Sequence, residues 1–120
     1  MFAALSRFGL PDQFVHMVRN IYSSRSFFVH DHAVSSSCKS QHSGISQGCP
    51  LSPVLFVIVM SILIADARYE LHSKVGHLAD QLSEILYADD TLIIDYHGEL
   101  AETYMYCIRD QGMYYGLDFN

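Results

Sequence analysis

The chain has 120 residues, half of them hydrophobic and 17% charged, and its 7 basic against 13 acidic side chains leave a formal net charge of −6. Length and composition suit one modest domain with ample material for a core and exclude a disordered chain. The acidic balance excludes nucleic-acid binding by bulk charge alone, so any such role needs basic surface from elsewhere.

Three well-separated cysteines without a Cys-x-x-Cys pair suggest neither a zinc site nor a redox dithiol. They fit a reducing compartment, so the protein is expected inside the cell, in nucleus or cytoplasm, and not secreted. Residues 1–8 have helical character and stop at Gly9, a residue suited to closing a helix. Pro11 and Asp12 suit the start of a second helix. In it Phe14, Met17, Val18, Ile21 and Tyr22 recur along one face, and it ends near Ser23 and Ser24. Arg19 and Arg25 are candidates for contact with phosphate or, equally, ordinary solvated charges near a helix end.

Phe27-Phe28-Val29-His30 reads as a strand, the Ser-rich stretch at 31–37 as a turn, and residues 38–42 as a more exposed return strand. His30, His32 and His42 lack the spacing of a metal cluster and read as surface histidines. The next stretch, Ser43-Gly44-Ile45-Ser46-Gln47-Gly48-Cys49-Pro50-Leu51-Ser52-Pro53, holds two glycines and two prolines and specifies a shaped loop. Gly48 lets backbone approach a ligand closely. Ser52 before Pro53 is an N-cap and first-helical-position signature. The helix expected over 54–71 has Ser61 as its one polar residue as far as Ala65. A helix apolar all round is buried in a core, and this one is too short to cross a membrane. Its start would offer backbone N–H groups to an anion or phosphate, or simply lead a loop into the core.

Residues 68–83 are a helix end and a polar connection containing Gly76. Ser83-Glu84-Ile85-Leu86-Tyr87-Ala88-Asp89-Asp90-Thr91-Leu92-Ile93-Ile94 then reads as two short strands joined tightly enough to form an antiparallel hairpin. Its tip carries Asp89 and Asp90 side by side. Two like charges so close disfavour joint ionisation, and a hard divalent cation removes the objection. On the pair alone, a solvated hairpin tip is the commoner arrangement. After His97-Gly98, Glu99 and Glu102 open a last helix, with Leu100, Tyr104, Cys107, Ile108, Gln111 and Tyr115 at roughly helical spacing. Gly116 ends it, and residues 117–120 look like the start of a strand.

The loop Gln47-Gly48-Cys49-Pro50-Leu51-Ser52-Pro53 and the hairpin segment Tyr87-Ala88-Asp89-Asp90, in this order, resemble the reverse transcriptase domain of non-LTR retrotransposons. The resemblance extends over nearly the whole chain. Phe8-Gly9-Leu10-Pro11 and the helix to Tyr22 are similar to the segment after the family's first catalytic acid. Residues 27–42 are similar to its small β-hairpin. Gly116-Leu117-Asp118-Phe119-Asn120 resembles a motif that usually runs on to a lysine. Group II intron maturases share similar loops, and Cys49 and Ala88 favour the retrotransposon branch.

The resemblance implies an α+β fold: a partial polymerase palm, with the Asp-Asp hairpin packed on helices, and a small fingers-side β-hairpin. It implies RNA-directed DNA synthesis by two Mg2+ (or Mn2+) ions about 3.5–4 Å apart. Asp89 would be the principal metal ligand and Asp90 a weaker or outer one, both catalytic. Tyr87 would pack near the primer terminus, and Gln47 and Gly48 would shape the pocket for the incoming nucleotide and templating base. The implied partners are an RNA template, a DNA primer and a deoxynucleoside triphosphate, with no membrane.

The family's third carboxylate, expected upstream of Phe8, and the lysine expected after Asn120 are not in the chain. We therefore expect residues 1–120 to be a fragment of a single reverse transcriptase domain, truncated at both ends and inactive alone. The alternative is a catalytically silent retroelement remnant acting at most as an interaction module.

Overall fold

A computed structural model describes residues 1–32, 34–46, 48–87, 90–96 and 98–117. Among them, helices combine with three two-stranded antiparallel ladders, so the chain is α+β. The axis is α3 (Ser52–Val75), 24 residues long and therefore about 36 Å at 1.5 Å per residue. Its N-terminal half meets α1 (Phe2–Arg7) and α2 (Asp12–Tyr22). Its C-terminal half meets a 3-10 turn (Gly76–Gln81) and α4 (Glu99–Tyr115).

Two cores result, one at each end of the same helix. In the first, Leu5, Val15, Val18 and Tyr22 close on Leu55 and Ile58. In the second, Leu63, Ile64, Ala67 and Leu71 close on Ala79, Leu82, Tyr104, Cys107 and Ile108. Each fully buried leucine removes enough apolar surface to stabilise the fold by about 1.5–3 kcal/mol. Helix α4 ends as its sequence suggests. Gly116 adopts φ +71°, which lets its N–H reach the Met113 carbonyl (3.2 Å) and brings the Leu117 N–H to the Gly112 carbonyl (3.0 Å). Residues 118–120, read as the start of a strand, lie outside the described residues.

Several expectations change in detail. Helix α3 begins at Ser52 and runs on to Val75, because nothing between 71 and 75 breaks it before Gly76. Ser52 is not its N-cap. Leu51 takes that position, and the Ser52 hydroxyl donates backwards to the Ser46 carbonyl. Nor is α3 buried on every side: Val54 and Val57 are 56% and 54% exposed, because α1 and α2 cover one flank only. On α2 the buried residues are Val15, Val18 and Tyr22, while Met17 and Ile21 face outward.

The strand expected at 27–30 is broken in two. Strand β1 (Ser26–Phe27) pairs with β4 (Lys39–Ser40), and β2 (His30–Asp31) with β3 (Val34–Ser35). The return strand carries one more residue between the two ladders than the outgoing one, a bulge. There the Ser36 hydroxyl accepts the Val29 N–H (2.9 Å), so a side chain stands where a ladder bond would be.

The last ladder joins β5 (Ser83–Tyr87) to β6 (Asp90–Ile94), antiparallel, with Tyr87 opposite Asp90 and Ser83 opposite Ile94. Successive strand residues face opposite ways. One face therefore carries Glu84, Leu86, Thr91 and Ile93, and Ile93 packs on the second core. The other carries Ile85, Tyr87, Asp90, Leu92 and Ile94, all exposed.

The molecule exposes 8598 Å2, against about 6,600 Å2 for a closed monomer of its mass. Its radius of gyration is 17.8 Å, against about 14 Å for a compact chain of this length. Two features contribute: the two cores lie side by side along a helix instead of merging, and the β1–β4 region is exposed nearly throughout. Replacing a fully buried residue of one core should be felt in full. Leu63→Ala is expected to lower unfolding stability by about 2–5 kcal/mol in urea titration, and a loss under about 1 kcal/mol would show that the second core is not packed as described.

Candidate active site

The two segments singled out by the sequence are held by different cores. The loop at 43–51 leads into α3 and is tied to the first. Ile45 and Leu51 pack on that cluster, the Cys49 N–H reaches the Ser46 carbonyl (3.4 Å), and the Ser52 N–H reaches the Cys49 carbonyl (3.0 Å). Gly48 adopts φ +80°, and a β-carbon built on it meets nothing within 4 Å. Glycine is needed there for backbone conformation, and the space beside it is open. The amides at the start of α3 act on the loop itself: the Leu51 N–H, followed by the Ser52 and Tyr22 side chains, holds the Cys49 thiol below its ordinary range. Gln47, expected to meet nucleotide or template, lies outside the described residues.

The hairpin is tied to the second core at its base. Arg68 on α3 grips Glu84 through Nε to Oε1 (2.6 Å) and Nη2 to Oε2, and also donates to the Leu82 carbonyl (3.1 Å). This two-pronged pairing raises the Arg68 pKa further above its ordinary value. At the other end Asp90 opens β6 opposite Tyr87, its side chain exposed. Asp90 therefore belongs to the strand, while Ala88 and Asp89 lie outside the described residues.

The neighbouring acids are already engaged. Glu84 holds Arg68, and Asp95 accepts the Leu100 and Ala101 N–H groups (3.2 Å each), capping α4. Among the described residues no three His, Cys, Asp or Glu side chains stand close enough together to hold a metal ion. Asp90 is exposed and carries carboxylate oxygens, the donor type that hard cations take.

A third constellation was not foreseen. Arg7 of α1 grips Asp66 of α3, and the Tyr115 hydroxyl of α4 accepts from Arg7 (2.6 Å) and donates to Asp66 (2.7 Å). One carboxylate thus bridges the two cores. The Arg7 guanidinium holds the Asp66 carboxyl below the usual range, and burial, reinforced by Asp66, pushes the Tyr115 hydroxyl up to about 12. The available signal was the first acid to follow the apolar run of α3.

With this geometry in hand, comparison places the protein. The family described as reverse transcriptase (RNA-dependent DNA polymerase) matches residues 1–120, and the chain belongs to it. It is also 31% identical over 93 residues to the retrovirus-related Pol polyprotein from type-2 retrotransposable element R2DM of Drosophila melanogaster. That match takes in 78% of this chain and 9% of that protein. The place among non-LTR reverse transcriptases read from the two loops agrees with both findings. No solved structure matches.

Two outcomes are expected. Gly48→Ala forces a side chain into a left-handed conformation and should cost about 1–2 kcal/mol in denaturant unfolding without a steric clash; unchanged stability would mean that the loop backbone is not held. The lowered Asp66 pKa sets the sign of a pH effect. Its contribution is complete above the unfolded carboxylate value, near about 3.9, and is lost as pH falls through the lower folded value. The wild type should therefore lose more stability on acidification below about pH 4 than Asp66→Asn, measured as urea midpoint against pH, and parallel curves would remove Asp66 from the account.

Proposed function

We propose that the chain is the part of a retroelement reverse transcriptase domain that carries its paired metal-site acids and its nucleotide loop. The observation that supports this reading most is the β5–β6 hairpin, which presents Asp90 opposite Tyr87 on an uncovered face. In the intact protein Asp89 and Asp90 would hold the divalent cations, and a further acid from outside residues 1–120 would complete the set. Bound there, the cations would neutralise charge on the attacking and leaving oxygens during transfer of a deoxynucleotide to a primer 3′-hydroxyl. Tyr87 would support the primer end. Gln47 and Gly48 would border the nucleotide and the templating base, with open space beside Gly48 to admit them. RNA template, DNA primer and deoxynucleoside triphosphate are the partners of that intact protein.

The charge distribution supports the same reading. Among the described residues Arg7, Arg68, Lys74 and Arg109 are ion-paired. Arg19, Arg25 and Lys39 have no ion pair there and all fall within residues 12–40, and Arg25 bonds the loop itself.

The reading requires the hairpin to lie back along α3. Arg68, which grips the hairpin's base, stands about 24 Å along the helix from Ser52. From Glu84, which Arg68 holds, to Tyr87 is three strand residues, about 10 Å, so a hairpin running that way would shorten the gap to about 14 Å. No helix is long and apolar enough to cross a membrane among the described residues.

Mn2+ provides the test. Titrated into the purified chain, it should bind weakly and broaden the amide signals of Gly48 and Cys49. Asp89→Asn with Asp90→Asn should abolish both effects. Binding that survives the double substitution, or broadening confined to other regions, would overturn the assignment. The 120-residue chain by itself is expected to give no primer extension on an RNA template, lacking the third acid; extension above a no-enzyme control would contradict this.

A further inference from the structure

Arg25 is one of the cations without an ion pair, yet its guanidinium is not free. It lies over the Tyr22 ring, 3.9 Å from the centroid, and Tyr22 is itself a buried member of the first core. Stacked there, its fork points at the loop. Nη1 donates to the Ser46 hydroxyl and Nη2 to the Gly44 carbonyl (2.9 Å). The Arg25 carbonyl in turn accepts the Gln41 N–H (2.8 Å), closing the base of the small β-hairpin. The Ser46 carbonyl accepts the Ser52 hydroxyl and the Cys49 N–H, so the residue that Arg25 holds is also the one on which the rest of the loop turns. These bonds fix the backbone on the approach to Gln47 from one side and Gly48 from the other.

We propose that Arg25 is the positioning residue of the nucleotide loop: planted on Tyr22, it sets the backbone at Gly44, Ser46 and Cys49, and thereby the loop's affinity for a nucleotide. The nucleotide clause rests on the polymerase reading above; the loop clause does not. A guanidinium suits the task because one rigid plane stacks on an aromatic ring and donates along two directions at once. A lysine ammonium carries the same charge without that plane. Arg25 touches no reacting group and acts only through Ser46 and Gly44.

The experiment combines hydrogen exchange with binding, in the purified chain and in Arg25→Ala and Arg25→Lys. Both variants should speed exchange of the Cys49 and Ser52 amides about tenfold, the effect of losing hydrogen bonds from a charged donor. The α3 amides between 63 and 71 should exchange as in wild type. Both variants should also weaken binding of Mn2+–dTTP about tenfold while leaving binding of Mn2+ alone unchanged, a split that general loss of structure would not give. Wild-type exchange in Arg25→Lys would overturn the proposal, because charge without the fork would then suffice. So would exchange that rises throughout α3, or variants that bind the nucleotide as wild type does. The exchange measurement decides the loop clause in every case. A wild-type chain that binds no nucleotide would instead sink the polymerase reading and the nucleotide clause with it.

Discussion

Helix α3 carries more apolar surface than its neighbours cover, and the rest of the structure follows from that imbalance. From Val54 to Ala65 its sequence has almost no polar face. The α1–α2 pair takes one flank of the first half, and α4 with the 3-10 turn takes one flank of the second. Val54 and Val57 stay exposed on α3, Met17 and Ile21 on α2, and Ile85, Leu92 and Ile94 on one face of the hairpin. Exposed apolar side chains such as these suit contact with further protein, whether the rest of a polymerase domain or the partner of an interaction module.

The same helix divides the labour between the two candidate segments. Its N-terminus receives the Gly-rich loop, and its middle anchors the hairpin through Arg68 and Glu84. Polar residues on α3 are few before Asp66 and frequent after it, and two of them tie other elements to the helix: Asp66 with Arg7 and Tyr115, Arg68 with Glu84. Both pairs are partly exposed, and each joins side chains far apart in the sequence. The two pairings help to set where α1, α4 and β5 dock along α3.

Much of this was legible in the residues. The helices over 12–22 and 99–115 follow from apolar spacing closed by a turn residue, because 3.6-residue periodicity is a local property. The β5–β6 hairpin is legible for the same reason. The break in the 27–30 strand was not, because Phe-Phe-Val-His reads as continuous and the interruption depends on a serine hydroxyl seven positions away. Nor was the true N-cap of α3, since the Ser52 hydroxyl is drawn to the Ser46 carbonyl by the fold of the loop.

What the sequence determined alone was the inventory: two loops in a recognisable order, an apolar helix between them, an acidic pair flanked by strand residues, and through these the family. What only the tertiary structure decided was the use of each charged side chain. Arg25 could have met phosphate but holds the loop, Asp66 joins α1 to α4, and Glu84 is spent on Arg68 while Asp90 stays exposed. Periodicity and turn chemistry act between neighbours in the chain and can be read along it. The partner of a charge is set by packing between residues far apart in sequence, so it becomes visible only when the helices are in place.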